Sequence, residues 1–188
     1  MSYVKDYLID SDSTVCNLET LITNTGVPYS KKSPQLHFRS LPSATNGLLN
    51  SGINLVNIAN NHANDFYDVG LSDTVSNLNK NKIDIVGYRK NLDNFNDEEN
   101  LYKIYEIKNI KIGFLGVTRP FKKIKHNENI NNFNSNYKNK ILKEIILLKK
   151  KVDILILCIH WGTEYSFTED KQQQELGQMF INNGVDII

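Results

Sequence analysis

The sequence has few cysteines, no long apolar run and no excess of either charge. Two cysteines among 188 residues can form at most one bridge, so a disulfide-stapled scaffold is excluded. No stretch approaches the roughly 18–20 consecutive apolar residues that span a bilayer. Since 22 Lys and Arg stand against 21 Asp and Glu, the net charge of +1 argues against a nucleic-acid binder that relies on a strong global positive field. We expect no nucleic-acid partner and no membrane segment in these residues.

Several common motifs are missing as well. The first fourteen residues lack the basic start and the apolar run of a signal peptide. No glycine-rich pattern of the G-x-G-x-x-G or G-x-x-x-x-G-K-[ST] type is available to cradle phosphates, and no G-x-S-x-G nucleophile elbow occurs. The location is left open between the cytoplasm and a membrane-associated place at the cell surface, which an upstream anchor would provide.

Hydrophobic residues make up 40% of the chain and charged residues 23%, which is sufficient for a packed core. At this length a single domain is expected. Cys16 and Cys158 lie in apolar segments and are predicted to be free core thiols. The asparagine-rich stretch 127–139 is predicted to be a solvated loop, with His126 beside it at the surface.

Short apolar runs rich in β-branched residues alternate with segments of helical period. Most runs are apolar on both sides, which is typical of strands covered by helices on both faces. The predicted strands are Thr14–Leu18, Leu55–Ala59, Ile83–Val86, Leu101–Ile107, Lys111–Val117, Val152–Ile159 and Val185–Ile188. The predicted helices are Ser43–Asn50, Gly70–Lys80, Lys140–Lys150 and Glu169–Asn183. With a hairpin turning at residues 108–110, this order predicts a mainly parallel α/β sheet with an attached antiparallel pair.

Polar side chains follow three of the apolar runs, where ligands bind in parallel α/β sheets. Glu19 comes after the first run, and its carboxylate is a hard oxygen donor that can bridge two divalent cations. His160 ends the most hydrophobic run, and a neutral imidazole there suits Zn²⁺, Mn²⁺ or Fe²⁺. Glu164 follows within reach of a substrate. The alternatives are a surface or helix-capping acid for Glu19 and a half-buried imidazole packed on Trp161 for His160.

The segment after the second run is more specific. An Asn61 side-chain oxygen can bind a metal without adding negative charge, and the adjacent His62 can donate a proton to a leaving group. Asp65, three residues further on, is a natural partner to orient the imidazole. The alternative is a polar turn in which asparagines cap the chain.

Five blocks of sequence together resemble one protein family. They are Asn17-Leu18-Glu19-Thr20, His37-Phe38-Arg39 with Pro42, Ile58–Asp65, Gly70-Leu71 with Thr74, and His160–Tyr165 with Gln173. Their order and spacing resemble the CapA family, the bacterial capsule or poly-γ-glutamate biosynthesis proteins. The domain of that family is similar to a calcineurin-type metallophosphoesterase. The A-N-N-H-A-x-D and H-W-G-x-E-Y blocks carry most of the resemblance.

The resemblance implies one CapA-type domain over residues 1–188, built as a metallophosphoesterase-like α/β sandwich with mainly parallel strands and helices on the outer faces. It implies a site for two divalent ions (Mn, Fe, Zn or Mg) in the full-length protein. Glu19 would bridge the ions, and Asn61 and His160 would be ligands. His62, oriented by Asp65, would be the general acid.

Arg39 and Arg119 are further candidates, because their charge and position suit an anionic substrate; a solvated surface role is equally open for each. Glu164 completes the candidate substrate-binding set. The expected function is a metal-dependent phosphoesterase-like hydrolase acting on a phosphoester or an anionic polymer. The alternative is a non-catalytic scaffold component of a complex that synthesises or exports capsule polymer.

The chain departs from the family pattern in three places. The family usually has Asp-Tyr-Gly where this chain has Asp65-Phe66-Tyr67, so the loop is expected to turn differently. The opening Gly-Asp strand and the Gly-x-His-Pro-His segment of the family would fall outside residues 1–188. We therefore expect an incomplete sandwich that holds fewer than two ions and is inactive by itself.

Overall fold

Two three-stranded sheets form the centre of the fold in the computed structural model, which describes residues 2–90, 100–119, 129–134 and 136–188. The first sheet is parallel, in the order β1 (Val15–Asn17), β4 (Leu55–Asn57), β5 (Asp84–Val86). The second contains β6 (Tyr102–Ile107), β7 (Ile110–Thr118) and β8 (Ile154–His160), with β6 antiparallel and β8 parallel to β7. A short parallel pair is formed by β2 (Leu21–Ile22) and β3 (Arg39–Ser40).

Five α-helices accompany these strands in the described residues. They are α1 (Ser2–Ile9), α2 (Ala44–Asn50), α3 (Tyr67–Lys80), α4 (Lys138–Lys149) and α5 (Lys171–Asn182), and a 3₁₀ helix spans Pro34–Leu36. In α3 the predicted stripe of Leu71, Val75 and Leu78 is buried, because residues at i, i+4 and i+7 lie on one helix face. Helix α5 begins at a capping box in which Asp170 and Gln173 satisfy each other's backbone N–H groups.

The apolar side chains divide the molecule into four layers. One cluster packs the first sheet against α3, with Val56 and Ile85 from the strands. A second packs the other sheet against α4 and α5, centred on the fully buried Phe180. A third, smaller cluster lies between the two sheets, where Leu55 of β4 meets Phe114 of β7. The expected α/β sandwich with mainly parallel strands and outer helices is confirmed.

The predicted hairpin is also confirmed, and its turn has a local cause. Lys108 and Asn109 both adopt left-handed backbone angles, with φ of 52° and 66°. Two such residues form the turn whose twist matches that of the paired strands β6 and β7.

The two sheets are in close contact at Gly116 of β7. A Cβ atom added there would lie 2.6 Å from Asn57 Oδ1 and 2.6 Å from the Gly87 backbone nitrogen. The Asn57 amide joins the sheets, since its Oδ1 accepts from Ala59 N at 3.1 Å and its Nδ2 donates to the Cys158 carbonyl at 3.4 Å. Glycine at 116 therefore sets the spacing between the sheets directly below the carboxyl ends of β4 and β8.

Three sequence predictions need correction, and one element was not predicted. The main strands form two three-stranded sheets, whereas a single mainly parallel sheet with an attached antiparallel pair was predicted. The predicted strand Val185–Ile188 is reduced to one bridge between Ile187 and Ile156 of β8. Residues 2–9, for which no element was predicted, form helix α1. Only part of the stretch 127–139 is a solvated loop. Residues 136 and 137 are an exposed turn, but Asn131 and Asn132 are buried, and the Asn131 amide donates to the Gly116 carbonyl at 2.9 Å. Asparagine can be buried there because its amide supplies the hydrogen bond that the strand's carbonyl lacks.

The remaining predictions concern the cysteines, the membrane and His126. Cys16 and Cys158 are free thiols, each partly buried in a strand, as expected. Among the helices of the described residues, none combines the length and apolar character needed to cross a membrane. His126 lies outside the described residues.

Candidate active site

The segments that follow β1, β4 and β8 bring three ionisable side chains together. Glu19 Oε1 lies 3.7 Å from His62 Nε2 and also 3.7 Å from His160 Nε2. The two imidazoles are largely buried, whereas the Glu19 side chain is 39% exposed. One carboxylate oxygen thus faces two histidine nitrogens at the sheet edge where parallel α/β folds bind their ligands.

Asn60 holds the turn that carries His62. Its Oδ1 accepts from the His62 backbone N–H at 3.0 Å, and its Nδ2 donates to the Leu18 carbonyl at 2.9 Å and to Asn17 Oδ1 at 3.2 Å. Asn17 in turn donates to Glu19 Oε2 at 3.1 Å. The asparagines therefore tie the turn after β4 to the end of β1, which is why Glu19 and His62 meet.

The side-chain oxygen of Asn61 is buried and has no hydrogen-bond partner among the described residues. Leaving a buried amide oxygen unpaired costs about 1–3 kcal/mol, so native proteins rarely do so without a reason. A metal ligand is one such reason, because an amide oxygen is a hard, neutral donor. The observation fits the predicted role of Asn61.

His62 is held on three sides. Its Nδ1 lies 2.8 Å from Asp65 Oδ2, the contact that the sequence predicts. The ring stacks on Phe38 with centroids 3.9 Å apart and planes 4° apart. Lys32 Nζ approaches Nδ1 to 3.1 Å and Asp65 Oδ1 to 2.6 Å. Sequence reasoning missed Lys32, which lies outside the five blocks, and it included Phe38 in a block without assigning it a role.

The charges of the site shift two pKa values. Burial raises the pKa of Asp65, but hydrogen bonds from His62, Lys32 and the Phe38 N–H outweigh it and hold the pKa below its usual range. Burial lowers the pKa of His160 and the proximity of His62 acts in the same direction, while Glu19 and Glu164 oppose them. His160 is thereby kept towards its neutral form, the form that binds metals.

The three candidate substrate-binding residues lie at different places around the site. The Arg39 guanidinium stacks over the Phe66 ring at 3.7 Å and donates to the Gly26 carbonyl at 2.9 Å. Arg119 donates its backbone N–H to the His160 carbonyl at 3.0 Å, and its guanidinium bonds Gln172 of α5. Glu164 is exposed and close enough to act electrostatically on His160.

The segment after Asp65 shows how the chain accommodates its departure from the Asp-Tyr-Gly pattern. Tyr67 has a φ of 53°, in the left-handed region that glycine adopts without strain. Its ring packs edge-on against Tyr29, with centroids 5.2 Å apart. Tyr67 therefore takes a glycine-like backbone conformation, which its packing against Tyr29 helps to stabilise.

The donor set fits a metal in part. Two donors on one ion, each about 2.0–2.2 Å from it, lie at most about 4 Å apart, and 3.7 Å between Glu19 and His160 falls in that range. Across residues 2–90, 100–119, 129–134 and 136–188, however, no group of three or more His, Cys, Asp or Glu side chains is arranged to hold a metal ion. The described residues thus offer ligands without forming a complete cage.

Comparisons with known proteins find relatives along the whole chain. The model of the family described as "Bacterial capsule synthesis protein PGA_cap" matches residues 1–188. The capsule biosynthesis protein CapA of Bacillus anthracis is 27% identical over 194 residues, covering 99% of this chain and 46% of the relative. The PGA biosynthesis protein CapA of Bacillus subtilis (strain 168) is 26% identical over 187 residues, covering 99% and 48%. The chain therefore spans about half the length of these curated relatives.

One solved structure shares the fold. A Staphylococcus aureus protein assigned as a 5′-nucleotidase, in complex with α-ketoglutarate, superposes with a TM-score of 0.59 over 97% of this chain and 38% of its own. The two sequences are 18% identical, so the likeness concerns the fold alone. That fold is the metallophosphoesterase-like α/β architecture expected from the sequence.

Proposed function

The chain belongs to the family of bacterial capsule synthesis proteins of the PGA_cap type, and on this premise we propose that it carries the hydrolase site of a CapA-type capsule or poly-γ-glutamate biosynthesis protein. The proposed activity is that of a metal-dependent phosphoesterase-like hydrolase. Its proposed substrate is a phosphoester or an anionic polymer, handled within a capsule-synthesis complex.

One observation carries this proposal: Glu19, His62 and His160 meet at the carboxyl ends of three strands, next to the unpaired oxygen of Asn61. If these side chains served only to stabilise the fold, the Asn61 oxygen would be expected to accept a hydrogen bond from a protein donor. A neutral amide oxygen, a carboxylate and an imidazole together are a ligand set for a divalent cation. In the proposed site Glu19, Asn61 and His160 hold one or both of two ions.

His62 is the proposed proton donor. When its ring carries two protons, Nδ1–H donates to Asp65 and Nε2–H faces Glu19 and the open side of the site. A leaving-group oxygen placed there would receive the Nε2 proton as its bond breaks. Divalent ions, when bound, would supply stabilisation of the negative charge that develops on the substrate.

The proposed substrate contacts come from two different segments. Arg119 is anchored to the end of β8 through its backbone, so its side chain starts beside His160. Arg39 follows the stacked Phe38 and is exposed, but its guanidinium is engaged by Gly26 and Phe66. Of the two, Arg119 is the better candidate to bind an anionic group, since its guanidinium bonds an exposed glutamine, Gln172, whose side chain can move aside.

A scaffold function is the second candidate, and one observation favours it. Among the described residues no group of three acidic, histidine or cysteine side chains forms a metal cage. A protein that organises a capsule-polymer complex would keep the fold and its polar strand ends without needing metal. Metal content therefore separates the two candidates.

The experiment measures metal content and phosphoesterase rate on the full-length protein and on three variants of it. Under the hydrolase proposal His160→Ala lowers metal content, since it removes a ligand, whereas His62→Ala retains metal and loses mainly rate. General acid–base catalysis typically contributes about 10²–10⁴-fold, which sets the size of the His62 effect. Glu19→Gln joins His160→Ala in losing metal.

Glu106→Gln is the matched control for Glu19→Gln, because Glu106 is an exposed carboxylate on β6, in an edge strand of the other sheet. It should leave metal and rate unchanged. Unchanged metal and rate in both histidine variants would overturn the hydrolase proposal and leave the scaffold function in its place.

A further inference from the structure

The Lys32 side chain is only 8% exposed, although lysine is rarely buried without a partner. It lies in the turn that follows Tyr29, and its backbone N–H donates to the Tyr29 carbonyl at 3.1 Å. Its ammonium group lies 2.6 Å from Asp65 Oδ1 and 3.1 Å from His62 Nδ1. A buried lysine has thus been placed against the carboxylate that orients the proposed proton donor.

The Asp65 carboxylate is fully occupied, and each of its oxygens has a distinct role. Oδ1 receives Lys32, while Oδ2 receives the Phe38 backbone N–H at 2.7 Å and His62 Nδ1 at 2.8 Å. The Asp65 side chain is 1% exposed, so water does not replace a lost partner easily. Among the described residues Lys32 is the side chain that donates to Oδ1, so without it the carboxylate would be free to turn.

The two contacts at His62 Nδ1 place opposite demands on that nitrogen. The Asp65 carboxylate can only accept a hydrogen bond from Nδ1, whereas the Lys32 ammonium can only donate one to it. A ring nitrogen and a carboxylate oxygen 2.8 Å apart must be joined by a hydrogen bond, so Nδ1 carries the hydrogen and donates it to Asp65 Oδ2. Lys32 then donates its hydrogen bond to Asp65 Oδ1. Nε2, which faces Glu19 at 3.7 Å, is then the nitrogen without a hydrogen in the neutral ring.

We propose that Lys32 is a positioning residue, which holds Asp65 so that His62 keeps its proton on Nδ1 and turns Nε2 into the site. The proposal rests on the proposed function only in naming His62 as the proton donor. The contacts themselves belong to the chain whatever its activity. The Phe38 ring, stacked on the imidazole, restricts the rotation that would otherwise exchange the two nitrogens.

The test is a ¹⁵N NMR measurement of the histidine ring nitrogens under mildly alkaline conditions, with the four histidines assigned through a His62→Gln variant. In the unsubstituted chain His62 should show a protonated-type Nδ1 and an unprotonated-type Nε2. A neutral ring with its proton on Nε2, or an even mixture, would overturn the proposal without any substitution.

Lys32→Met should then shift His62 towards a mixture of tautomers, and Lys32→Arg should restore most of the original pattern. Lys31→Met is the matched control, since Lys31 is the exposed neighbour in the same turn, and it should leave the pattern intact. An unchanged His62 pattern in folded Lys32→Met also overturns the proposal. If Lys32→Met does not fold, the ¹⁵N pattern of His62 in the unsubstituted chain and in Lys32→Arg tests the proposal instead.

Activity provides a second and separate readout. If the chain hydrolyses phosphoesters, Lys32→Met should lower kcat about tenfold or more with KM nearly unchanged, because positioning partners of active-site histidines typically have effects of this size. A merely structural lysine would lower thermal stability without moving the His62 tautomer. Absence of any hydrolysis in the unsubstituted full-length protein would count against the proposed function, while the NMR pattern would still decide the role of Lys32.

Discussion

Replacing Gly116 by alanine should push the two sheets apart at a point where they are in close contact. The added Cβ would lie 2.6 Å from the Gly87 nitrogen, 2.7 Å from the Gly87 Cα and 2.6 Å from Asn57 Oδ1. Two of these atoms belong to backbone, which cannot move aside as the end of a flexible side chain can. The strain must therefore be taken up by shifting β7 away from β4 and β5.

The expected cost follows from these contacts. Overpacking a well-packed interior by one methyl group costs about 1–3 kcal/mol. For a chain of this size each kcal/mol corresponds to about 2–4 °C, so Gly116→Ala should lower the melting temperature by about 2–12 °C. Because Gly116 pairs with Cys158 two residues before His160, the shift should also weaken any metal binding that depends on His160 and Glu19.

Thermal and urea unfolding, followed by circular dichroism, measure the effect, with metal content determined in parallel. Gly47→Ala is the control, because a Cβ at this exposed position in α2 meets nothing within 4 Å. It should stabilise the chain by about 0.5–1 kcal/mol, since alanine is the better helix former. A Gly116→Ala protein that melts at or above the original temperature would refute the close packing of the sheets described above.

Three further predictions concern single groups. Burial raises the pKa of Cys158 to about 11, so only about one Cys158 side chain in a thousand is a thiolate at pH 8. A thiol reagent should therefore react with Cys158 far more slowly in the folded chain than in the unfolded chain. Equal rates would contradict this prediction. The lowered pKa of Asp65 means that its ionised form stabilises the fold above the unfolded-state value of about 3.9, and that this contribution is lost as the pH falls through the folded-state pKa. Urea unfolding between pH 7 and pH 3 should therefore show a smaller loss of stability for Asp65→Asn than for the original chain, and parallel curves would count against the ion pair with Lys32. Asp170→Ala removes the side-chain acceptor of the Gln173 N–H at 2.8 Å and should cost about 1 kcal/mol in the same assay, whereas an unchanged midpoint would show that the capping box of α5 contributes nothing.

Much of the local structure follows from short patterns in the sequence. The apolar stripe of α3, the run of β8 and the turn at Lys108 and Asn109 are all encoded within a few residues, because period and turn chemistry act between near neighbours. Boundaries moved by a few residues at most in these elements. Helix α1 was missed because its eight residues hold only two i, i+4 apolar pairs, Tyr3 with Tyr7 and Val4 with Leu8, too few to establish a helical period.

The grouping of the strands was less accessible from the sequence. A run that is apolar on both sides indicates a strand that is buried on both faces. It does not indicate whether a helix or a second sheet covers each face. Leu55 and Phe114 lie between two sheets, whereas Val56 faces a helix layer, and the sequence pattern of these residues is the same. One mainly parallel sheet was therefore predicted where the chain builds two.

The sequence by itself determined which residues would stand at the carboxyl ends of the strands, since Glu19, His62 and His160 each follow directly on an apolar run. Only the tertiary structure decided their surroundings. Lys32 reaches Asp65 across 33 positions of the chain, and Phe38 reaches the His62 ring across 24, so no local period or motif connects them. The type of chemistry is thus a local property of the sequence, whereas the orientation of each reacting group depends on contacts that exist only when distant segments pack together.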